Sequence, residues 1–169
     1  YSEDWIVEVV DTGLDTMTGG RLLHIKDSLP EKEPFLFTYG DGLADINITN
    51  LLSHHRKSGK LATITAVFPP ARFGALSINK KNEVTSFSEK PAEEVGRING
   101  GFFILQKEVV EYIKDASTVW EKEPLKELVN AKQINAYSHN GFWQPMDTLR
   151  EKYFLEKLWK TSKAPWKIW

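Results

Sequence analysis

The sequence contains no cysteine, which excludes a disulfide framework and any metal site built on thiolates. That is compatible with the cytoplasmic location we expect. Charge of one sign is also lacking. The chain carries 22 Lys+Arg against 23 Asp+Glu, a net charge of −1, so there is no electrostatic case for a nucleic acid polymer or a membrane surface as partner. No apolar run approaches the ~18 residues of a membrane-spanning helix. Internal repeats and low-complexity tracts are absent as well. What is present is a chain of 169 residues, long enough to bury a core as one domain, and we expect a single domain over residues 1–169. Aromatic residues are plentiful, with four of six tryptophans at Trp143, Trp159, Trp166 and Trp169.

The stretch FLFTYGDGLAD, Phe35 to Asp45, organises the rest. Phe35 to Tyr39 is apolar and β-favouring, bounded by Pro34 and Gly40, and reads as a buried strand. Asp41 stands where that strand stops, between two glycines that permit a tight turn and close approach by a ligand. In open α/β sheets ligands bind beyond the carboxyl ends of strands, and a carboxylate there suits a hard cation. Gly-Asp-Gly is also ordinary turn composition, so a turn role stays open.

Before this stretch, Trp5 to Val10 predicts a strand, and Arg21 to Leu29 a helix with Leu22, Ile25 and Leu29 on one side. Gly19-Gly20-Arg21 at the helix start offers backbone N–H groups and a guanidinium to a phosphate or a base edge; an ordinary strand-to-helix loop is the alternative. After it, Asp45 is a good N-cap for a helix closed by Gly59. The adjacent His54 and His55 read as solvated helix-end residues.

Leu61 to Phe68 reads as a buried strand, and Ala75 to Ser88 as a hairpin with a polar turn. Gly100 to Leu105 is a further strand. Lys107 to Lys114 reads as a short helix, and Glu123-Pro124 opens another with Leu125, Leu128 and Val129 inward. Ile134 to Ser138 is a last strand and Gly141 to Asp147 an aromatic loop. Asp147 starts a terminal helix with Leu149, Tyr153, Phe154 and Leu158 on its apolar side. Strands alternating with helices indicate an α/β fold with a mostly parallel sheet, to which the hairpin adds an antiparallel element.

Several chemistry-bearing groups fall at strand ends: Gly20 and Arg21, Asp41, Gly74, Glu89 and Lys90, and Asn99. Asp147 heads a helix. If they converge, they supply two carboxylates for a cation, cationic groups for phosphates and polar groups for a sugar. That inventory suits phosphoryl or nucleotidyl transfer. Taken singly, Asp147 also fits a plain helix cap and Lys90 a solvated charge.

The motifs VVDTGLDTMTGGRL, FLFTYGDGLADI, FPPARFGAL, SFSEKP, INGGFFIL, GFWQPMDTLREK and APWKIW carry a resemblance. The chain resembles the sugar-1-phosphate nucleotidyltransferases along essentially its whole length, and within them the cytidylyl branch. The resemblance implies a Rossmann-like nucleotidyltransferase fold and transfer from CTP to α-D-glucose 1-phosphate, giving CDP-glucose and pyrophosphate for polysaccharide biosynthesis. It implies Mg²⁺ held by Asp41 and Asp147, with Lys90 on the sugar phosphate. It further implies Gly74, Glu89 and Asn99 around the sugar, and Gly20 and Arg21 at the nucleotide. UTP or dTTP is the alternative donor, and a non-catalytic sugar-phosphate-binding module or inactive fragment the alternative function.

The family's opening strand and GGxGTRL loop have no counterpart in these residues. The resemblance is therefore to the C-terminal portion of such an enzyme, a partial domain whose first strands are missing. On that reading the isolated chain is expected to be inactive, and less stable than a complete domain or self-associating. The full-length enzyme is expected to be a homo-oligomer.

Overall fold

The computed structural model describes residues 4–70, 75–88 and 96–167. In chain order the elements are helix α1 (Thr18–His24), strands β1 (Phe35–Thr38) and β2 (Gly42–Ala44), helix α2 (Ile48–Ser58), strands β3 (Ala62–Val67), β4 (Ala75–Ile78), β5 (Val84–Ser88) and β6 (Ile98–Leu105), helix α3 (Glu123–Asn130), strands β7 (Ile134–Ser138) and β8 (Trp143–Pro145), and helix α4 (Leu149–Lys160). Short 3-10 turns occupy Lys26–Ser28 and Lys107–Tyr112. Among the described residues no helix is long and apolar enough to cross a membrane.

The residues group into two compact units, each assembled from three separate stretches. One comprises Tyr1–Phe35, Lys60–Ala62 and Leu105–Ile134; the other comprises Leu36–Gly59, Thr63–Ile104 and Asn135–Trp169.

In the first unit α1 begins at Thr18, three residues before the predicted start. Gly19 and Gly20 both donate their N–H groups to the Thr118 carbonyl, at 3.0 and 3.2 Å, and Met17 N–H donates to Ala116 O at 2.9 Å. A side chain at Gly20 would collide with the Ala116 backbone, and one at Gly19 would meet Thr118 O. The glycine pair therefore lets a helix lie directly on another backbone segment. Thr18 Oγ1 accepts from Trp120 N–H at 2.9 Å and donates to Glu121 at 2.7 Å. Leu22, Val109, Ile113, Trp120 and Leu128 are buried. In α3 Leu128 faces inward as expected, but Val129 is 59% exposed, because the helix is only two turns long and its buried stripe is narrow.

Trp5 to Val10 forms no strand, contrary to expectation. Ile6 is fully exposed and Val9 nearly so. β-favouring residues become a strand only where a neighbour completes the ladder, and among the described residues none pairs with this run.

The second unit carries nearly all of a four-stranded sheet ordered β1-β6-β3-β7. β3 and β7 run the same way, as shown by the bonds from Ala62 N to Gln133 O and from His139 N to Ala66 O. β6 runs against both its neighbours: Tyr39 N bonds Gly101 O, and Gln106 N bonds Leu61 O. Three of the four strands thus share a direction. β4 and β5 form the predicted antiparallel hairpin, with Leu76 opposite Phe87. Its turn is held by Asn79, whose side chain accepts from Lys81 and Glu83 N–H.

Ile46, Leu51 and Ile104 form a buried cluster, against which Leu52, Phe102 and Tyr137 pack. Helix α2 is capped by Asn47, which accepts from Asn50 N–H at 2.9 Å, and not by Asp45. The helix starts at Ile48, so Asp45 lies too far upstream to reach its free N–H groups. Gly59 ends the helix in the left-handed conformation, with φ of 61°. On α4 the buried residue is Leu155, whereas Leu149, Tyr153 and Phe154 are exposed.

The two histidines also depart from expectation. His55 is 1% exposed and its Nδ1 lies 2.8 Å from Thr63 Oγ1. Thr63 Oγ1 in turn donates to Asn135 Oδ1 at 2.6 Å, and Asn135 Nδ2 meets His54 Nε2 at 2.9 Å. With the Thr63 proton on Asn135, His55 Nδ1 is the donor and His54 Nε2 the acceptor. Apolar pattern alone hides this, because a histidine next to buried Thr63 can be satisfied inside the core.

Two outcomes are expected. Burial, with help from His54 and Arg56, holds the His55 pKa below its ordinary 6.5. A lowered folded pKa means that stability is full above the unfolded value of about 6.5 and is lost as pH falls through the lower folded value. Urea midpoints measured from pH 7.5 downward should fall, and His55→Gln should flatten the profile. Gly20→Ala should cost about 1–3 kcal/mol by overpacking, read as a lowered urea midpoint.

Candidate functional site

β1 ends at Thr38, and the chain turns through Tyr39, Gly40 and Asp41 into β2. β2 pairs antiparallel with β8, with Gly42 opposite Pro145, Leu43 opposite Gln144 and Ala44 opposite Trp143. One more bond, from Met146 N–H to Asp41 O at 2.7 Å, extends the ladder past its last pair. Asp41 enters one strand and Asp147 follows the other, so both stand at the same end of the ribbon. They line one cavity together with Thr38, Tyr39, Gly42, Asn99, Gly100, Gly101, Trp143 and Pro145.

This ribbon corrects the expectation that Gly141 to Asp147 is only a loop. Three residues with a proline among them give little strand signal, and Pro145 supplies no N–H to a ladder. The ribbon's far end is held by Asp45, which pairs with His139 Nε2 at 2.9 Å and whose N–H donates to Phe142 O. Gly141 sits directly beneath that carboxylate, where a Cβ would strike it.

Asp147 is not the helix cap. Thr148 caps α4, accepting from Glu151 N–H at 3.3 Å, while Glu151 Oε2 accepts from both Thr148 and Asp147 N–H at 3.0 Å. This reciprocal capping box satisfies the helix start and leaves the Asp147 carboxylate outside it. Among the described residues neither the Asp41 nor the Asp147 carboxylate has a hydrogen-bond or ion-pair partner. Two such carboxylates at one ribbon end offer only hard oxygen donors. No group of three or more His, Cys, Asp or Glu that could hold a metal occurs among the described residues. The donor set fits Mg²⁺, which takes one or two carboxylates and fills its remaining positions with water and substrate phosphates.

Part of the lining comes from β6. Asn99 lies within that strand rather than in a loop. Its Oδ1 accepts from Gly101 N–H at 2.8 Å, and its Nδ2 donates to the Tyr39 hydroxyl at 3.2 Å. Gly101 has φ of 76°, and the Tyr39 ring occupies the space a Cβ would need. Gly100 O accepts from the Trp143 indole N–H at 2.7 Å. Arg97 fixes the start of β6: it donates to Ala66 O and His139 O at 3.0 and 3.1 Å and lies over the Phe68 ring at 4.2 Å.

Of the residues named from sequence, the structure brings Asp41, Asn99 and Asp147 to one cavity. Gly20 and Arg21 belong to α1 in the other unit. The Gly20 N–H is committed to Thr118 O, and the exposed Arg21 guanidinium donates to Thr12 Oγ1 at 2.6 Å. Gly74, Glu89 and Lys90 lie outside the described residues. Tyr39 and Trp143 are cavity residues that sequence reasoning treated only as parts of a strand and a loop. The available signal was the placement of each within a few residues of a candidate carboxylate.

Comparison with known proteins bears on this arrangement. The glucose-1-phosphate cytidylyltransferase of Salmonella typhimurium is 52% identical over 167 residues, which is 99% of this chain and 65% of that protein. The chain thus spans slightly less than two thirds of that relative. The mannose-1-phosphate guanyltransferase of Saccharomyces cerevisiae is 35% identical over 144 residues, covering 82% of this chain and 39% of the yeast protein. The crystal structure of HddC from Yersinia pseudotuberculosis superposes with a TM-score of 0.59 at 20% identity, over 83% of this chain and 61% of that one, and shows the shared Rossmann-like fold. A family model for nucleotidyl transferases matches residues 18–150. That span opens just before Gly20 and closes just after Asp147, so every candidate residue falls inside it, and the chain belongs to the nucleotidyl transferase family.

Proposed function

We propose that the protein transfers a cytidylyl group from CTP to α-D-glucose 1-phosphate, releasing CDP-glucose and pyrophosphate. The observation that carries this reading is the pair of carboxylates, Asp41 and Asp147, unpartnered among the described residues and lining one cavity at the end of the β2–β8 ribbon. The name of the Salmonella relative supports the choice of substrates.

In the reaction a phosphate oxygen of glucose 1-phosphate attacks the α-phosphorus of CTP. A new P–O bond forms, the α–β anhydride bond breaks, and pyrophosphate leaves with the electron pair. Asp41 and Asp147 would hold Mg²⁺, which neutralises charge on the reacting phosphates. The protein's part is to position reactants and balance charge, with no covalent intermediate on the chain. Lys90 would contact the sugar phosphate, with Glu89 and Gly74 around the sugar. Asn99 keeps a second amide N–H and a second lone pair on Oδ1 for a sugar hydroxyl. Arg21 would meet the nucleotide, with Gly20 letting α1 lie close to its neighbouring backbone. Self-association and a cytoplasmic location, where CTP is available, belong to the same reading. So does a role in supplying activated sugar for polysaccharide synthesis.

With the protein expressed from its own gene, Asp41→Asn and Asp147→Asn should each lower kcat by about 100-fold or more, equivalent to about 2.7 kcal/mol of barrier. KM for glucose 1-phosphate should move far less. Wild-type turnover in either variant removes the metal pair from the reading. Lys90→Ala should raise KM for glucose 1-phosphate about tenfold or more, as loss of a charged phosphate contact does, and an unchanged KM removes Lys90. Turnover with UTP or dTTP but not CTP changes the donor. Binding of glucose 1-phosphate without turnover of any nucleotide favours the binding-module alternative.

A further inference from the structure

The ribbon that carries the two carboxylates is too small to hold itself. β2 and β8 have three residues each, one of the paired positions is a proline, and isolated two-stranded ribbons are marginal in water. Its position over β6 must be set by a tie from outside the ladder. Ala44 packs with Phe102 against the core cluster that includes Ile104 of β6, and one directional tie is the Trp143 indole N–H, which reaches from β8 to the Gly100 carbonyl of β6 at 2.7 Å, the short end of the N–H···O range. Gly100 is buried and adjoins Asn99 and Gly101, so one bond joins the Asp147 side of the cavity to the Asn99 side.

We infer that Trp143 is a positioning residue for the carboxylate pair: its indole N–H, not its aromatic bulk, fixes the ribbon on β6 and thereby sets where Asp41 and Asp147 present their oxygens. This rests on the proposed metal role of those two residues. Trp143 lies four residues before Asp147, and Ala44, its partner in the ladder, lies three residues after Asp41. A shift of β8 on β6 therefore carries both carboxylates with it. Groups that orient metal ligands without touching the metal change affinity about 10–100-fold when removed.

The test measures Mn²⁺ binding by electron paramagnetic resonance of free Mn²⁺, without substrates, on protein expressed from its own gene. Wild type, Asp41→Asn, Asp147→Asn, Trp143→Phe and Trp143→3-benzothienylalanine are compared. The last replaces the indole N–H by sulfur and keeps the volume. Far-UV circular dichroism and urea midpoints report folding. The expected result is that both Trp143 variants stay folded and bind Mn²⁺ about tenfold more weakly. Folded Trp143 variants with wild-type Mn²⁺ affinity overturn the inference while leaving the carboxylate pair intact. If Trp143→Phe unfolds, the benzothienyl variant decides by the same comparison. If that variant unfolds too, Trp143 is a residue of the fold and the positioning role is overturned. A wild-type Mn²⁺ affinity indifferent to both Asp→Asn changes removes the metal pair itself, and this inference with it.

Discussion

The short antiparallel pairing of β2 with β8 is the interaction on which the rest of the site depends. Asp41 and Asp147 are more than a hundred positions apart in sequence, and nothing local makes them neighbours. A ladder of three residue pairs, extended by the bond from Met146 to Asp41, does so through backbone geometry alone. Each bond contributes only about 1 kcal/mol net, so the ribbon borrows rigidity from its surroundings. The Asp45–His139 pair secures one end, and the Trp143 indole secures it to β6.

Two glycines that suggest ligand chemistry in the sequence also have a backbone-packing role. Gly19 and Gly20 let α1 approach the segment at Ala116–Thr118. The converse holds for Asp147. A carboxylate two residues before a helix looks like a cap, yet Thr148 and Glu151 complete the capping box without it. The division of labour leaves the acidic side chain outside the cap, beside Asp41.

Legibility in the sequence followed the range of the forces involved. β1 and β3 were readable as strands because runs of β-favouring residues declare themselves locally; β3 is buried as expected, but β1 alternates in exposure, with Leu36 56% exposed, because one of its faces is left uncovered. The end of α2 at Gly59 and the β4–β5 hairpin were readable because turn chemistry is local too. Trp5–Val10 misled, because the same residue types form no strand without a neighbour to complete the ladder. β8 was missed because Trp-Gln-Pro has no strand periodicity; β2 makes it a strand. His55 was misjudged because its partner Thr63 comes from β3, and Thr63 is held in turn by Asn135 of β7. At the site, Asp41, Asn99 and Asp147 could be named from motifs, but their convergence required the β2–β8 ribbon and its placement against β6.

The two compact units are not consecutive along the chain, and this has a consequence for how the protein is made. Each unit draws on three stretches, and the unit that contains Tyr1–Phe35 also needs Leu105–Ile134. At a synthesis rate of about 5–20 residues per second, its early part waits several seconds on the ribosome for the stretch that completes it. β3 likewise emerges well before β7, its neighbour in the sheet. During that interval apolar strands and open backbone edges are held without partners, the state in which nascent chains most need chaperones. A single cut in the chain cannot liberate either unit whole, so its parts must be inherited and produced together.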